Sequence, residues 1–275
     1  MAVTDFGTVL ELVLSLAVSG ALIGFLAGLF GIGGGAISVP VFFEIFGLLG
    51  YPAEISMPLA VGTSLAVIVP TSIASARGHW HRGTVDMDLL RIWAIPILIG
   101  VLAGSLIARY ADPWVFQLVF VVVATVIATR LLTGGKGWRV AGHLPGRALL
   151  NIYGAIIGFL SALMGIGGGA LSNLVMTLHG VPIHRAISTS AGVGVLIAIP
   201  GTIGYMVAGW GKPGLPPDSV GFVSLATFAL TIPNALLTAR LGVRLAHALS
   251  RRRLEVAFGL FLLTVSARFV YSLFA

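Results

Sequence analysis

Cysteine is absent from the chain, and acidic and basic side chains together make up only 9% of its 275 residues. The first absence excludes disulfides and thiolate metal sites and removes redox chemistry as a guide to compartment. The second excludes water as the main solvent, because a soluble domain usually carries about 25% charged residues. Strand-like alternation of apolar and polar residues is also missing, which weighs against a transmembrane barrel. Negative charge is scarcer than positive, with 9 Asp and Glu against 16 Lys and Arg, for a formal charge of +7. In a soluble chain that balance would point to nucleic acid. Here the cations sit in short turns between apolar runs, and no continuous basic element exists to track a phosphate backbone, so no nucleic-acid partner is expected.

What remains is hydrophobic: 57% of the residues are apolar and the mean hydropathy is +1.05. Apolar stretches recur from Gly7 onward, most of them long enough to cross about 30 Å of hydrocarbon as a helix. The segments read as 7–30, 35–49, 57–77, 89–109 and 113–132, then 148–165, 169–180, 186–209, 219–240 and 254–273. A polar joint at 133–147 divides them; it holds Gly134, Gly135, Lys136, Gly137, Trp138 and Arg139. Met1 to Phe6 lacks the basic region of a cleaved secretory signal, so the first apolar segment is expected to be a span of the mature protein.

The two sides of the joint repeat each other. Gly24-Phe25-Leu26-Ala27-Gly28-Leu29-Phe30-Gly31-Ile32-Gly33-Gly34-Gly35-Ala36 aligns with Gly158-Phe159-Leu160-Ser161-Ala162-Leu163-Met164-Gly165-Ile166-Gly167-Gly168-Gly169-Ala170, an offset of 158 minus 24, or 134. Ala60, Thr63 and Ser64 match Ala186, Thr189 and Ser190 at offset 126, and Gly104, Ala108, Phe116 and Phe120 match Gly242, Ala246, Leu254 and Phe258 at offset 138. Basic residues cluster around the connection at Arg77, His79, His81, Arg82 and Arg91, around the joint, and around Arg240, Arg244, Arg251, Arg252 and Arg253. The excess of positive charge assigns these connections to the cytoplasm, and counting spans then puts both termini in the periplasm. Five segments per half is an odd number, so the second half enters the membrane inverted. The expected fold class is all-α: a polytopic transmembrane helix bundle of two inverted-topology repeats, the first at 1–135 and the second at 148–275, with a cytoplasmic linker at 136–147. Inverted repeats are the usual architecture of secondary transporters.

Each repeat is interrupted by glycines, at Gly31, Gly33, Gly34 and Gly35 and at Gly165, Gly167, Gly168 and Gly169. So many glycines in an apolar helix unwind the backbone or bring it close to something else. Irregular backbone at membrane depth is tolerated only where protein or a wet cavity satisfies it. The segments after the breaks are too short to span, as expected of broken or half-length helices whose N-termini point into the membrane, where their free N–H groups favour a small anion. Candidate substrate-binding residues are Gly33, Gly34, Gly35, Ser38, Thr63 and Ser64 in the first half, with Gly167, Gly168, Gly169, Ser172, Asn173, Thr189 and Ser190 in the second. Two plainer readings stand beside this one: the glycines serve close helix packing, and the hydroxyls bond back to their own helices. His184 and Arg185 are candidates for a cationic mouth, and Glu44 for a proton relay. His79, His81, His143, His179 and His247 form no metal-ligating set, and no nucleophile and base occur at a persuasive spacing, so no catalytic residue, cofactor or metal is expected.

The duplicated Gly-Ile-Gly-Gly-Gly run followed by Ala36-Ile37-Ser38-Val39-Pro40, together with Ala186-Ile187-Ser188-Thr189-Ser190 and the 201–209 region, closely resembles the sulfite exporter TauE/SafE family of bacterial membrane permeases, over about Leu16 to Phe274. The resemblance implies export of a small sulfur-containing anion, such as sulfite, sulfoacetate or a related organosulfonate, across the bacterial inner membrane. Protons or the membrane potential would supply the driving force. Pro40 and Val39 in the first copy are matched by Leu174 and Asn173 in the second, so the halves need not meet a ligand equally. An anion channel of the same fold and a membrane assembly scaffold are the alternatives.

Overall fold

The computed structural model describes residues 6–30, 34–81, 83–134 and 138–274. They form ten helices: α1 (Phe6–Phe30), α2 (Gly35–Leu48), α3 (Ala53–Trp80), α4 (Met87–Ala108), α5 (Pro113–Leu132), α6 (Arg147–Met164), α7 (Gly169–Leu178), α8 (Ile183–Ala208), α9 (Leu225–Ala248) and α10 (Arg251–Phe274). Every apolar segment expected from the sequence is a helix, but four starts differ by three residues or more, among them α10, which begins at Arg251 rather than 254. Pro52, in extended conformation, and Pro182 cap α3 and α8 several residues ahead of the apolar runs. Residues 219–224 belong to no helix: Phe222 N–H bonds the Tyr205 carbonyl, and Ser224 caps α9 by accepting from Thr227 N–H. Among the described residues α3, α4, α5, α6, α8 and α10 are long and apolar enough to cross a membrane. The protein is an all-α polytopic membrane helix bundle.

Glycine sets its closest helix contacts. A Cβ at Gly20, Gly24 or Gly28 on α1 would lie 2.8, 2.1 or 2.2 Å from the carbonyl oxygens of Thr231, Ala235 and Ala239 on α9. Both sets of numbers rise together by four, so α1 and α9 run parallel. On α6, Gly154 sits against Trp93 of α4, and a Cβ at Gly158 would lie 2.3 Å from the Ile97 carbonyl, again a parallel pair. These contacts correspond. Adding 134 on α1 and subtracting 138 on α9 converts Gly20 with Thr231 into Gly154 with Trp93, and Gly24 with Ala235 into Gly158 with Ile97. Gly242 against Phe25 becomes Gly104 against Phe159 in the same way. With lipid as the surroundings, close approach of small residues is what draws such helices together.

The remaining major pairs bring like to like. Helices α3 and α8 are antiparallel, with Leu65 beside Gly201, Ser72 beside Gly194, and His79 Nδ1 3.1 Å from the Ser188 hydroxyl. Helices α5 and α10 are antiparallel as well, with Phe120 edge-on to Phe269 and Arg252 reaching the Leu131 carbonyl. The halves are therefore interwoven, since each long helix has its main partner in the other half, while the short α2 and α7 pack mainly on α3 and α8 of their own halves.

These contacts sort the connections into two ends. Arg109 donates to the Ala208 carbonyl, and burial followed by the Asp218 carboxylate raises the Tyr51 phenol above its ordinary pKa, which groups the 49–52, 109–112 and 209–224 connections. At the other end Arg185 pairs with Asp86 at 2.9 Å, and Val140 N–H bonds the Leu178 carbonyl, grouping 81–86, 138–146 and 179–182. Each short helix turns back toward the end from which the long helix before it set out. Helix α6 leaves the end that holds the joint and α7 returns there, while α1 starts on the side where α9 starts and α2 returns to that same end, opposite the joint.

Gly158→Val is expected to destabilise the protein in detergent by about 1–3 kcal/mol through overpacking against Ile97. Gly47→Ala, where an added Cβ meets nothing within 4 Å, is expected to hold or raise stability. Thermal unfolding of the two variants checks the contrast, and equal melting would refute the packing role.

Candidate functional site

The breaks are where backbone geometry departs furthest from a helix. Gly165 (φ 64) ends α6 in the left-handed region and Gly168 (φ 68) caps α7, so only residues 165–168 separate the two helices. Gly34 (φ 76) caps α2 in the same conformation. A side chain at either cap is strained by φ alone. Their surroundings also correspond: Gly34 faces Ala27, and Gly168 faces Ser161, the residue 134 positions on. Gly33, the remaining glycine candidate of the first half, lies outside the described residues.

The two breaks meet. A Cβ on Gly35 would lie 2.6 Å from the Gly165 carbonyl oxygen and 2.8 Å from Ile166 Cα. Gly167 is covered by Ile68 of α3 and lies near Gly194 of α8. Residues 34–40 and 161–168 are buried, so the junction sits inside the bundle.

Most hydroxyls around the junction are committed to the protein. Ser64 donates to the Gly165 carbonyl at 2.7 Å, and its oxygen is 2.6 Å from the Ser38 oxygen. A carbonyl can only accept, so Ser64 spends its proton there and Ser38 is the donor between the serines. The equivalent pair behaves differently: Ser172 donates to the Gly168 carbonyl at 2.7 Å and Ser190 to the Ile187 carbonyl at 2.8 Å, both within their own chain segment. Thr63 and Thr189 share one task. Each hydroxyl oxygen accepts, at 3.0 Å, the backbone N–H of the residue capping a neighbouring helix, Ser224 of α9 and Asp86 of α4. The match is again at offset 138, since 224 minus 86 is 138.

The outlying candidates are in ion pairs or exposed. Arg185 is bound by the capping aspartate Asp86, and His184 is exposed with its carbonyl accepting from Ser188. Glu44 lies near the far end of α2, where Arg268 of α10 approaches its carboxylate oxygens at 3.0 and 3.1 Å. None of these three lies at the junction of the breaks.

Sequence reasoning missed Ser161. It is fully buried, and its Oγ has no hydrogen-bond partner among the described residues. That oxygen lies 3.4 Å from where a Cβ on Gly168 would stand, beside the N-terminus of α7. The signal was in the repeat, where Ser161 is the hydroxyl set against Ala27. Buried Asn173 Oδ1 on α7 is likewise without a partner among the described residues.

The balance of donors and acceptors gives the second break its chemical character. Two of its four carbonyls are occupied, since Gly165 O accepts from Ser64 and Gly168 O accepts from both N–H and hydroxyl of Ser172, and just before the break Ser161 O accepts from the N–H groups of Gly165 and Ile166. No side chain caps α7 or α2. The first N–H groups of a helix have no partner within it, and they lie at the positive end of its dipole. Donors left free at a helix N-terminus suit an anion. Among the described residues no group of three His, Asp or Glu is placed to hold a metal ion.

The family model described as sulfite exporter TauE/SafE matches residues 16–269. A probable membrane transporter protein of Haemophilus influenzae is 34% identical over 247 residues, covering 90% of this chain and 94% of its own length. One from Methanocaldococcus jannaschii is 28% identical, covering 88% and 89%, and YunE of Bacillus subtilis, a probable membrane transporter protein, is 23% identical over 93% and 96%. No solved structure matches the chain.

The unequal roles of the paired serines give a direct test. Ser64→Ala leaves the buried Gly165 carbonyl without its partner and the Ser38 hydroxyl with only the Gly35 carbonyl at 3.4 Å, and is expected to cost about 1–3 kcal/mol. Ser190→Ala loses only a bond to its own helix and is expected to be close to neutral. Thermal unfolding of both variants decides, and a larger loss in Ser190→Ala would reverse the assignment.

Proposed function

The chain belongs to the sulfite exporter TauE/SafE family of membrane transporters, and on that premise we propose that it is a secondary transporter exporting a small sulfur-containing anion, sulfite, sulfoacetate or a related organosulfonate. The observation that carries the reading is the second break: an uncapped helix N-terminus inside the bundle, with the buried Ser161 hydroxyl, unpartnered among the described residues, beside it. The substrate sits there, held by the first N–H groups of α7, by Ser161 and by the side-chain amide of Asn173. The first break closes the site from the opposite side through Gly34 and Gly35, and the Ser38 to Ser64 to Gly165 chain ties the two together. A carboxylate at the site would repel the substrate, and Glu44 lies away from it, paired with Arg268.

The two halves work as inverted repeats, with the joint at 136–147 between them. The support is the corresponding contacts at offsets 134 and 138, and the opposite directions of α1 and α6. Exchanging the halves' conformations around the junction opens the site alternately to the two sides. The end bearing Arg77, Arg130, Arg139, Arg185 and Arg252 faces the cytoplasm of a bacterial inner membrane, and both termini lie in the periplasm. With that orientation the inside-negative potential drives an anion outward, by about 2.3 kcal/mol per charge per 100 mV, without a coupled ion.

Proteoliposomes loaded with labelled sulfite, sulfoacetate and related sulfonates test the proposal, their orientation read from single cysteines at Gly137 and Ala275 expected on opposite sides. At least one anion is expected to leave faster than from protein-free vesicles. Ser161→Ala is expected to weaken its apparent binding about tenfold, the loss of one hydrogen bond to a charged group. Impermeability to the whole panel would contradict the function, and unchanged kinetics in Ser161→Ala would contradict the site.

A further inference from the structure

Beyond the junction, the last two turns of α3 and the facing side of α8 enclose a cavity of about 400 Å³ lined by Ile73, Ala76, Arg77, Trp80, His81 and Val195. The α3 residues fall at i, i+3, i+4, i+7 and i+8, a single face of the helix. Helix α3 has 28 residues, about 42 Å at 1.5 Å per residue, against about 30 Å of hydrocarbon. Its final turns therefore reach the headgroup layer, at the end of the bundle where the basic connections gather.

The repeat tells which way this face looks. Adding 126 carries Ile73, Arg77 and His81 to Ile199, Ile203 and Val207 on α8, which are 39%, 57% and 65% exposed and present bare apolar side chains to the outside of the bundle. The same outward face on α3 carries a guanidinium, an imidazole and an indole at its tip, above an apolar floor of Ile73, Ala76 and Val195. Trp80 is 60% exposed, as an aromatic at a membrane interface is. The carboxylates nearest in sequence are engaged elsewhere, Asp86 with Arg185 at 2.9 Å and Asp88 with Arg91 at 3.2 Å, and among the described residues Arg77 pairs with none.

We infer that this groove is a binding site for one anionic membrane phospholipid, its phosphate held by Arg77 and His81 and an acyl chain lying along Ile73, Ala76 and Val195. A zwitterionic lipid brings the same chain but no net charge for the Arg77 guanidinium. A basic recess between transmembrane helices, open to the bilayer, has the chemistry that selects charged headgroups. The apolar floor distinguishes it from the second break, which offers backbone donors to a small hydrophilic anion.

The test uses the full chain in bilayers containing bromine-labelled phosphatidylglycerol or bromine-labelled phosphatidylcholine, with tryptophan fluorescence as the readout. A quenched component that disappears in Trp80→Phe is expected. It should favour phosphatidylglycerol about fivefold, the ratio that corresponds to about 1 kcal/mol for a cation near an anionic surface. Arg77→Gln should bring the two lipids close to parity, while Ile203→Ala, the equivalent position on α8, should leave the preference intact. Should Arg77→Gln fold poorly, His81→Gln replaces it, and the wild-type comparison stands without either. Equal quenching by both lipids, or a preference that survives both substitutions, would overturn the site. Displacement of the lipid signal by millimolar sulfite or sulfoacetate would instead make the groove a substrate vestibule and also overturn it.

Discussion

A backbone that leaves the helix inside a membrane must find partners for its N–H and C=O groups within the protein, and the rest of this structure is arranged around that requirement. The second break meets it for the carbonyls of Gly165 and Gly168 through Ser64 and Ser172. It does not meet it with any side chain at the start of α7. That uncapped N-terminus is the ground for the proposal that the junction holds a negative charge without an arginine in it. Glycine is needed there for two separate reasons: positive φ at Gly34, Gly165 and Gly168, and space at Gly35, where the carbonyl of Gly165 occupies the place of a side chain.

The same economy runs through the packing. Parallel contact of α1 with α9 and of α4 with α6 depends on glycines facing carbonyls at corresponding positions of the two halves. The capping residues Asp86 and Ser224 are held by equivalent threonines, so the starts of α4 and α9 are tied to α8 and α3 by the same device used twice. The halves also differ at the junction. Ser38 and Ser64 bridge to the opposite break, whereas Ser172 and Ser190 bond locally and Ser161 is left without a partner among the described residues. A duplicated scaffold with one specialised break matches an anion held on one side of a pseudo-symmetric centre.

Much of this was legible in the sequence because hydrophobic length and internal repetition are properties of the chain alone. The ten segments, the two breaks and the pairing of Thr63 with Thr189 follow from them. What could not be read was the destination of each hydroxyl. Thr63 and Thr189 looked like cavity donors, but their partners, Ser224 and Asp86, lie 161 and 103 residues away. Ser161 passed as one more small residue in a packing helix, and only its position beside Gly168 sets it apart. The start of α9 was misplaced because residues 219–224 are apolar enough to extend a helix, while their hydrogen bonds to Tyr205 and Thr63 hold them in a loop.

The central claim is that the substrate anion rests against the N-terminus of α7. A structure of the protein with bound sulfite or sulfoacetate tests it most directly. Density within hydrogen-bond reach, about 3 Å, of Ser161 Oγ and of the first backbone N–H groups of α7 is the expected result. Density for the anion elsewhere in the bundle, with the second break closed on itself, would contradict it.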